Sequence, residues 1–182
     1  MRGRIILVAA VGALALSGVA LGRSLEIIIG TPGPDTLVGT PAVDVIYAKA
    51  GDDSASGQDG PDVIYGQAGD DDLHGGPGRD VIYGGQGSDT IHGGADGDIE
   101  YGGDGGDSLW GGRGADQLFG GAGDDVLHAL ADDDQRDIVD CGPGNDKAWL
   151  NIKERGLYRI SGCETVYWVV PTAEQNAEED AD

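Results

Sequence analysis

Gly75-Gly-Pro-Gly-Arg-Asp-Val-Ile-Tyr83 runs without a gap into Gly84-Gly-Gln-Gly-Ser-Asp-Thr-Ile-His92, and Gly111-Gly-Arg-Gly-Ala-Asp-Gln-Leu-Phe119 repeats the same frame. These are the clearest of eleven consecutive nonapeptides that extend from Gly30 to His128 and cover 99 of the 182 residues. The sixth position is always aspartate: Asp35, Asp44, Asp53, Asp62, Asp71, Asp80, Asp89, Asp98, Asp107, Asp116 and Asp125. The eighth is apolar (Leu37, Ile46, Ala55, Ile64, Leu73, Ile82, Ile91, Leu109, Leu118 and Leu127), with Glu100 as the exception. A lone Gly-x-Asp is an ordinary turn, because aspartate is common there. Ordinary turns have no reason to return an aspartate in phase eleven times, so the spacing points to a shared ligand.

The frame G-G-x-G-x-D-x-U-x, with U apolar, resembles the calcium-binding nonapeptide of the RTX (repeats-in-toxin) family. The resemblance implies an all-β fold, a right-handed parallel β-roll (a β-solenoid) in which two nonapeptides make one turn. Repeat n then stacks on repeat n+2, with calcium between them. Carried onto this chain, it pairs Asp35/Asp53, Asp44/Asp62, Asp53/Asp71, Asp62/Asp80, Asp71/Asp89, Asp80/Asp98, Asp89/Asp107, Asp98/Asp116 and Asp107/Asp125, nine candidate sites for several Ca²⁺ ions. The chemistry agrees with this. Calcium takes six to eight oxygen ligands, and glycine carbonyls plus one aspartate make half a shell. The first, second and fourth positions need positive φ or a close approach of main chain to the ion, which glycine reaches freely.

The implied metal residues are the eleven aspartates together with Gly66, Gly69, Gly75, Gly76, Gly78, Gly84, Gly85, Gly87, Gly102, Gly103, Gly105, Gly111, Gly112 and Gly114. Departures weaken the early repeats. Thr31, Thr40, Lys49, Gln58 and Gln67 replace the second glycine, Ala48 the first, and Ala42 and Asp96 the fourth. The C-terminal half of the array is expected to bind best. Ala55 leaves a gap in the core column. Glu100 places a charge there, and Ile99 beside it suggests a one-residue shift with irregular geometry from Asp96 to Tyr101.

The array carries nineteen acidic against three basic side chains, a net charge of −16. A metal-free array therefore repels itself, and nine divalent ions nearly balance it. One apolar residue in nine cannot offset the entropy of ordering so many glycines, so folding is expected to be coupled to metal binding. The whole chain, at −22, repels phosphates, which sets nucleic acid aside.

Arg2 and Arg4 precede an uncharged apolar run from Ile5 to Leu21, and Ala20-Leu-Gly22 offers a small-x-small cleavage site. Residues 1–22 read as a signal peptide; the alternative is an uncleaved membrane anchor. Cleavage leaves an extracellular chain of charge −24, secreted or associated with the cell surface and with no membrane contact of its own. Millimolar calcium there suits sites of about 10⁻⁴ to 10⁻³ M affinity. Many RTX proteins use a C-terminal export signal instead, so this chain is more similar to the short secreted type of actinobacteria.

A solenoid needs caps. Residues 23–29, with Leu25-Glu-Ile-Ile-Ile29, are expected to cap the start, and 30–128 to form the roll. Residues 129–170 are expected to hold degenerate repeats and a C-terminal cap, and 171–182 a disordered acidic tail. Ala129 to Ala131 interrupts the frame by three residues. Arg136-Asp-Ile-Val-Asp140 and Cys141-Gly-Pro-Gly-Asn-Asp-Lys-Ala-Trp149 then keep the aspartate phase, and Leu157-Tyr-Arg-Ile160 and Thr165-Val-Tyr-Trp-Val-Val170 are strand-like. Cys141 and Cys163, the only cysteines, read as one disulfide in an exported chain, worth about 3 kcal/mol. A metal site is the weaker alternative for them.

No nucleophile elbow, phosphate loop or His-Glu-x-x-His is present, so an enzyme is not expected. His74, His92 and His128 all occupy position nine of a repeat. Position nine of even-numbered repeats carries Tyr47, Tyr65, Tyr83, Tyr101 and Phe119, and that of odd-numbered repeats Val38, Ser56, His74, His92, Trp110 and His128. The even set is expected to form an aromatic ladder on one outer face, with rungs about 4.8 Å apart. Such a ladder either stiffens the sheet or offers a platform to a polysaccharide or a secreted protein. The expected activity is calcium binding, in a structural or adhesive module. The alternative is an accessory or carbohydrate-binding module that assists an extracellular enzyme.

Overall fold

Each nonapeptide folds in two parts. Positions seven to nine, with the first three of the next unit, form a strand, and the Gly-x-Asp at positions four to six turns the corner. In the computed structural model this gives sixteen strands and, among the described residues, no α-helix. The structure describes residues 25–131, 133–151, 153 and 155–170. The expected signal peptide and acidic tail lie outside them. In that range no helix is long and apolar enough to cross a membrane.

Odd-numbered strands build one parallel sheet: β1 (Glu26–Ile29), β3 (Asp44–Ala50), β5 (Val63–Ala68), β7 (Val81–Gln86), β9 (Ile99–Asp104), β11 (Gln117–Ala122), β13 (Ile138–Asp140) and β15 (Arg159–Ser161). Even-numbered strands build the other: β2 (Thr36–Val38), β4 (Ser54–Ser56), β6 (Asp72–Pro77), β8 (Thr90–Ala95), β10 (Ser108–Arg113), β12 (Val126–Ala129), β14 (Lys147–Asn151) and β16 (Thr165–Val169). Two strands per turn and eight strands per sheet make a parallel β-solenoid of eight turns.

Within the array the register is eighteen residues, as in Tyr65↔Tyr83 and Ile91↔Leu109. The three-residue insertion lengthens it to twenty-one, as in Leu118↔Val139 and Leu127↔Ala148. Alternation of side chains along each strand turns position eight inward. The whole column from Leu37 to Leu127 is buried, Ala55 included.

The expected shift at Glu100 does not occur. Glu100 pairs in register with Ile82 on one side and Leu118 on the other, and it is 0 % exposed. A one-residue slip would turn every side chain of β9 to the opposite face, and the ladders on both sides hold it in phase.

The far end closes by hydrogen bonding. Tyr158 Oη donates to the Ala129 carbonyl at 2.6 Å and accepts from the Asn151 N–H at 3.1 Å. A disulfide joins Cys141 to Cys163.

A candidate metal centre repeated along the roll

At the turns the aspartates form a column. The N–H of each one donates to Oδ1 of the aspartate two repeats later: Asp35 to Asp53 at 2.7 Å, Asp44 to Asp62 at 2.7 Å, Asp71 to Asp89 at 2.9 Å, Asp98 to Asp116 at 2.9 Å. The structure therefore brings together the n, n+2 pairs that the sequence names. The column also runs on past the array. Asp116 donates to Asp137 at 3.0 Å, Asp125 to Asp146 at 2.8 Å, and Asp146 to Oε2 of Glu164 at 2.8 Å. Asp137 and Asp146 become visible in the sequence once the insertion is counted. Glu164, directly after Cys163, lies eighteen residues beyond Asp146 and so keeps the period, with a glutamate in place of the aspartate.

The second carboxylate oxygen does something else. Oδ2 of Asp53, Asp62, Asp71, Asp89, Asp98, Asp107, Asp125 and Asp146 is buried without a hydrogen-bond donor. Each first-position glycine shows why it lacks a side chain. A Cβ on Gly75 would meet Asp80 Oδ2 at 2.5 Å and the Gly93 carbonyl at 2.6 Å. Gly57, Gly66, Gly84, Gly93 and Gly102 face the corresponding carboxylate and carbonyl, and at Gly120 the carbonyl is that of Cys141. With Gly30, which faces Asp35 Oδ2 and the Ala48 carbonyl, and Gly39, which faces Asp44 Oδ2 and the Gly57 carbonyl, nine cradles thus present a carboxylate oxygen and a main-chain carbonyl to one spot. Ala48 fills the same position in the repeat of Asp53 with a buried methyl.

The second and fourth positions hold the turn open by positive φ. Gly76, Gly78, Gly85, Gly87, Gly103, Gly105, Gly112 and Gly114 adopt it, as does Gly69, while Gly66, Gly75, Gly84, Gly102 and Gly111 do not. Of the departures, Lys49 (φ 91°), Gln58 (76°), Gln67 (82°) and Asp96 (74°) keep the glycine conformation despite their side chains.

Thr31 and Thr40 do not. Each folds back on its own aspartate: the Thr40 N–H reaches Asp44 Oδ2 at 2.6 Å and its hydroxyl donates to the same atom at 3.1 Å, and Thr31 contacts Asp35 Oδ2 likewise. The first two carboxylates are therefore already satisfied. At the other end of the array, the three nearest atoms to a Cβ on Gly111 all belong to Asp116.

Burial lifts these carboxyls from 3.8, to about 6 at Asp53, Asp71 and Asp89, to about 7 at Asp62, Asp107 and Asp116, and to about 9 at Asp98. The N–H from the aspartate two repeats earlier pulls each partly back, and neighbouring carboxylates oppose it. Buried acidic oxygens without donors demand a proton or a cation. Among the described residues no three His, Cys, Asp or Glu side chains converge as a metal site on their own. A shell here needs main-chain carbonyls as well as carboxylates. That mixed, all-oxygen donor set fits a hard cation such as calcium.

Two aromatic ladders flank the roll. Tyr47, Tyr65, Tyr83, Tyr101 and Phe119 stack at 4.9 to 5.0 Å on the odd-strand sheet. On the even-strand sheet a second series runs His74, His92, Trp110, His128, Trp149 and Tyr167. Burial, and then His92, depress the His128 imidazole to about 4. The sequence already held His74, His92, Trp110 and His128 of this series at the same period, and Trp149 and Tyr167 extend it once the three-residue insertion is counted.

The family model of the RTX calcium-binding nonapeptide repeat matches the chain in four copies, at residues 29–64, 47–82, 65–100 and 101–135. No curated protein matches the chain.

Proposed function

The chain belongs to the family of RTX calcium-binding nonapeptide repeats, and from that premise we propose that it is an extracellular calcium-binding roll that folds on taking up calcium and serves as a structural or adhesive module. The observation that carries this reading is the column of buried Oδ2 atoms without donors, of which those of Asp62, Asp71, Asp89, Asp98 and Asp107 face a glycine carbonyl of the turn above and that of Asp125 faces the Cys141 carbonyl. Several buried carboxylates with one apolar residue per repeat make a metal-free roll unfavourable, and divalent ions reverse that balance. Proteins built on RTX repeats are typically secreted and use the roll as a module without catalysis. A cleaved signal at residues 1–22 accords with that setting.

The test is far-ultraviolet circular dichroism of the purified chain in chelator and in millimolar calcium. β signal that appears only with calcium is the expected result. Equal signal in both conditions refutes the coupling of folding to calcium.

The two stacked faces favour a second reading, an accessory or carbohydrate-binding module, because flat aromatic surfaces suit sugar rings and protein partners. A glycan-array screen of the calcium-loaded protein separates the two. Specific binding supports the accessory role, and none leaves the structural module.

A further inference from the structure

Glu100 stands at the eighth position of its repeat, where every other unit of the array buries an apolar side chain. It does not simply lie within that column. The Cβ direction of Gly93 points to a spot 2.5 Å from Glu100 Oε1, 2.6 Å from the Gly111 carbonyl oxygen and 2.8 Å from Asp98 Oδ2. The other cradles offer one carboxylate and one carbonyl at this spot; this one offers two carboxylates. Asp98 Oδ2 is fully buried and receives no hydrogen bond. Two acidic side chains that meet out of water repel each other, and a divalent cation is the partner that neutralises both. The register leaves Glu100 no way out, since Ile82 and Leu118 hold β9 in phase from either side.

Resting on the calcium reading above, we propose that Glu100 is a ligand of the calcium ion held at the Gly93–Asp98–Gly111 turn, and that the second carboxylate makes this turn the tightest calcium site of the roll. Calcium affinity rises with the number of charged ligands in the shell, all else equal. The eighth-position glutamate thus exchanges one apolar contact of the core for one strong ion contact. It reaches the ion from inside the roll, where the other repeats offer only hydrocarbon.

The experiment is calorimetric titration of the purified chain with calcium after chelator treatment, for the wild type, Glu100→Gln and Glu100→Leu. The wild type should bind one ion about tenfold or more tightly than the rest, and both variants should lose that ion while keeping the others. Leucine fills the same column at Leu109 and Leu118, so the Glu100→Leu chain decides the matter even if glutamine prevents folding. A tight ion that survives in the variants overturns the proposal, as does a wild type whose ions are all equivalent. A wild type that takes up no calcium at all refutes the calcium reading itself, which is a separate result.

Discussion

The N–H of Asp71 donates to Oδ1 of Asp89 at 2.9 Å, across eighteen residues of sequence and one turn of the roll. Asp89 Oδ2 meanwhile faces Gly84 and the Gly102 carbonyl. One side chain therefore ties two turns together and also offers a ligand.

Asp89→Ala should remove both contributions. It strands the Asp71 N–H in a buried setting, at a cost of about 1 to 3 kcal/mol, and it takes a carboxylate from the two proposed calcium sites that pair Asp89 with Asp71 and with Asp107. Asp35→Ala should cost less, since Asp35 Oδ2 is held by Thr31 at the first turn. Calcium titration followed by circular dichroism should place the folding midpoint of Asp89→Ala above that of Asp35→Ala. The reverse order would refute the pairing of repeat n with n+2.

The threonine contacts bear on stoichiometry. Because Thr31 and Thr40 already satisfy Asp35 and Asp44, Asp44→Asn should leave the number of bound ions unchanged, whereas Asp107→Asn should lower it. Counting ions in the folded protein by equilibrium dialysis checks this. Loss of an ion in Asp44→Asn would show that the threonine gives way to the metal.

Acid should substitute in part for calcium. Burial holds Asp53, Asp71 and Asp89 at about 6 and Asp62, Asp107 and Asp116 at about 7 in the folded roll, against 3.8 for the free side chain. Between those limits the folded state binds more protons than the unfolded chain, so stability falls as pH rises. In chelator, the contribution is fully present below pH about 4 and is lost as pH climbs through 6 to 7. Protons and calcium also compete for the same oxygens, so calcium affinity should drop on acidification below about pH 6, with proton release on binding. Potentiometric titration with and without calcium measures both effects.

The cap should depend on its disulfide. Cys163→Ser should cost about 3 kcal/mol in the C-terminal turns. It should also raise the calcium needed there, because the Cys141 carbonyl faces Gly120 beside Asp125 Oδ2. Hydrogen exchange that weakens in β13 to β16 and not in β5 to β9 is the expected pattern. Uniform weakening would mean that the bond supports the whole roll.

Much of this was legible because a nine-residue period fixes register, face and ligand together. The aspartates and the apolar column can be read from Gly30 to His128 without any structure, and so can the n, n+2 pairing, given the family resemblance. What escaped has definite causes. The sequence marks Glu100 as an error in the column, and only the strand register shows that it keeps phase and reaches Asp98. Thr31 and Thr40 look like poor glycines, yet their hydroxyls become caps because their backbone leaves the glycine conformation. Glu164 joins the aspartate column at the eighteen-residue spacing from Asp146, and it escaped because a glutamate stands there and no glycine frame surrounds it.

The tyrosine ladder gives the riskiest prediction, because calcium binding needs aspartate and glycine in every repeat and is silent about aromatics in alternate ones. Tyr65 and Tyr83 stack on each other at 5.0 Å and on Tyr47 and Tyr101 beyond them. Removing both rings deletes three stacked contacts, each worth about 0.5 to 1.5 kcal/mol beyond the area buried. If the ladder stiffens the sheet, Tyr65→Ala with Tyr83→Ala should need more calcium to fold, and no ligand should be found for the wild type. If it is a platform, the double variant should fold at nearly the same calcium concentration and lose binding to whatever glycan or protein the wild type holds. Titration by circular dichroism, paired with the glycan screen on both proteins, separates the two. A double variant unchanged in folding and in surface binding would rule out both roles for the period of eighteen.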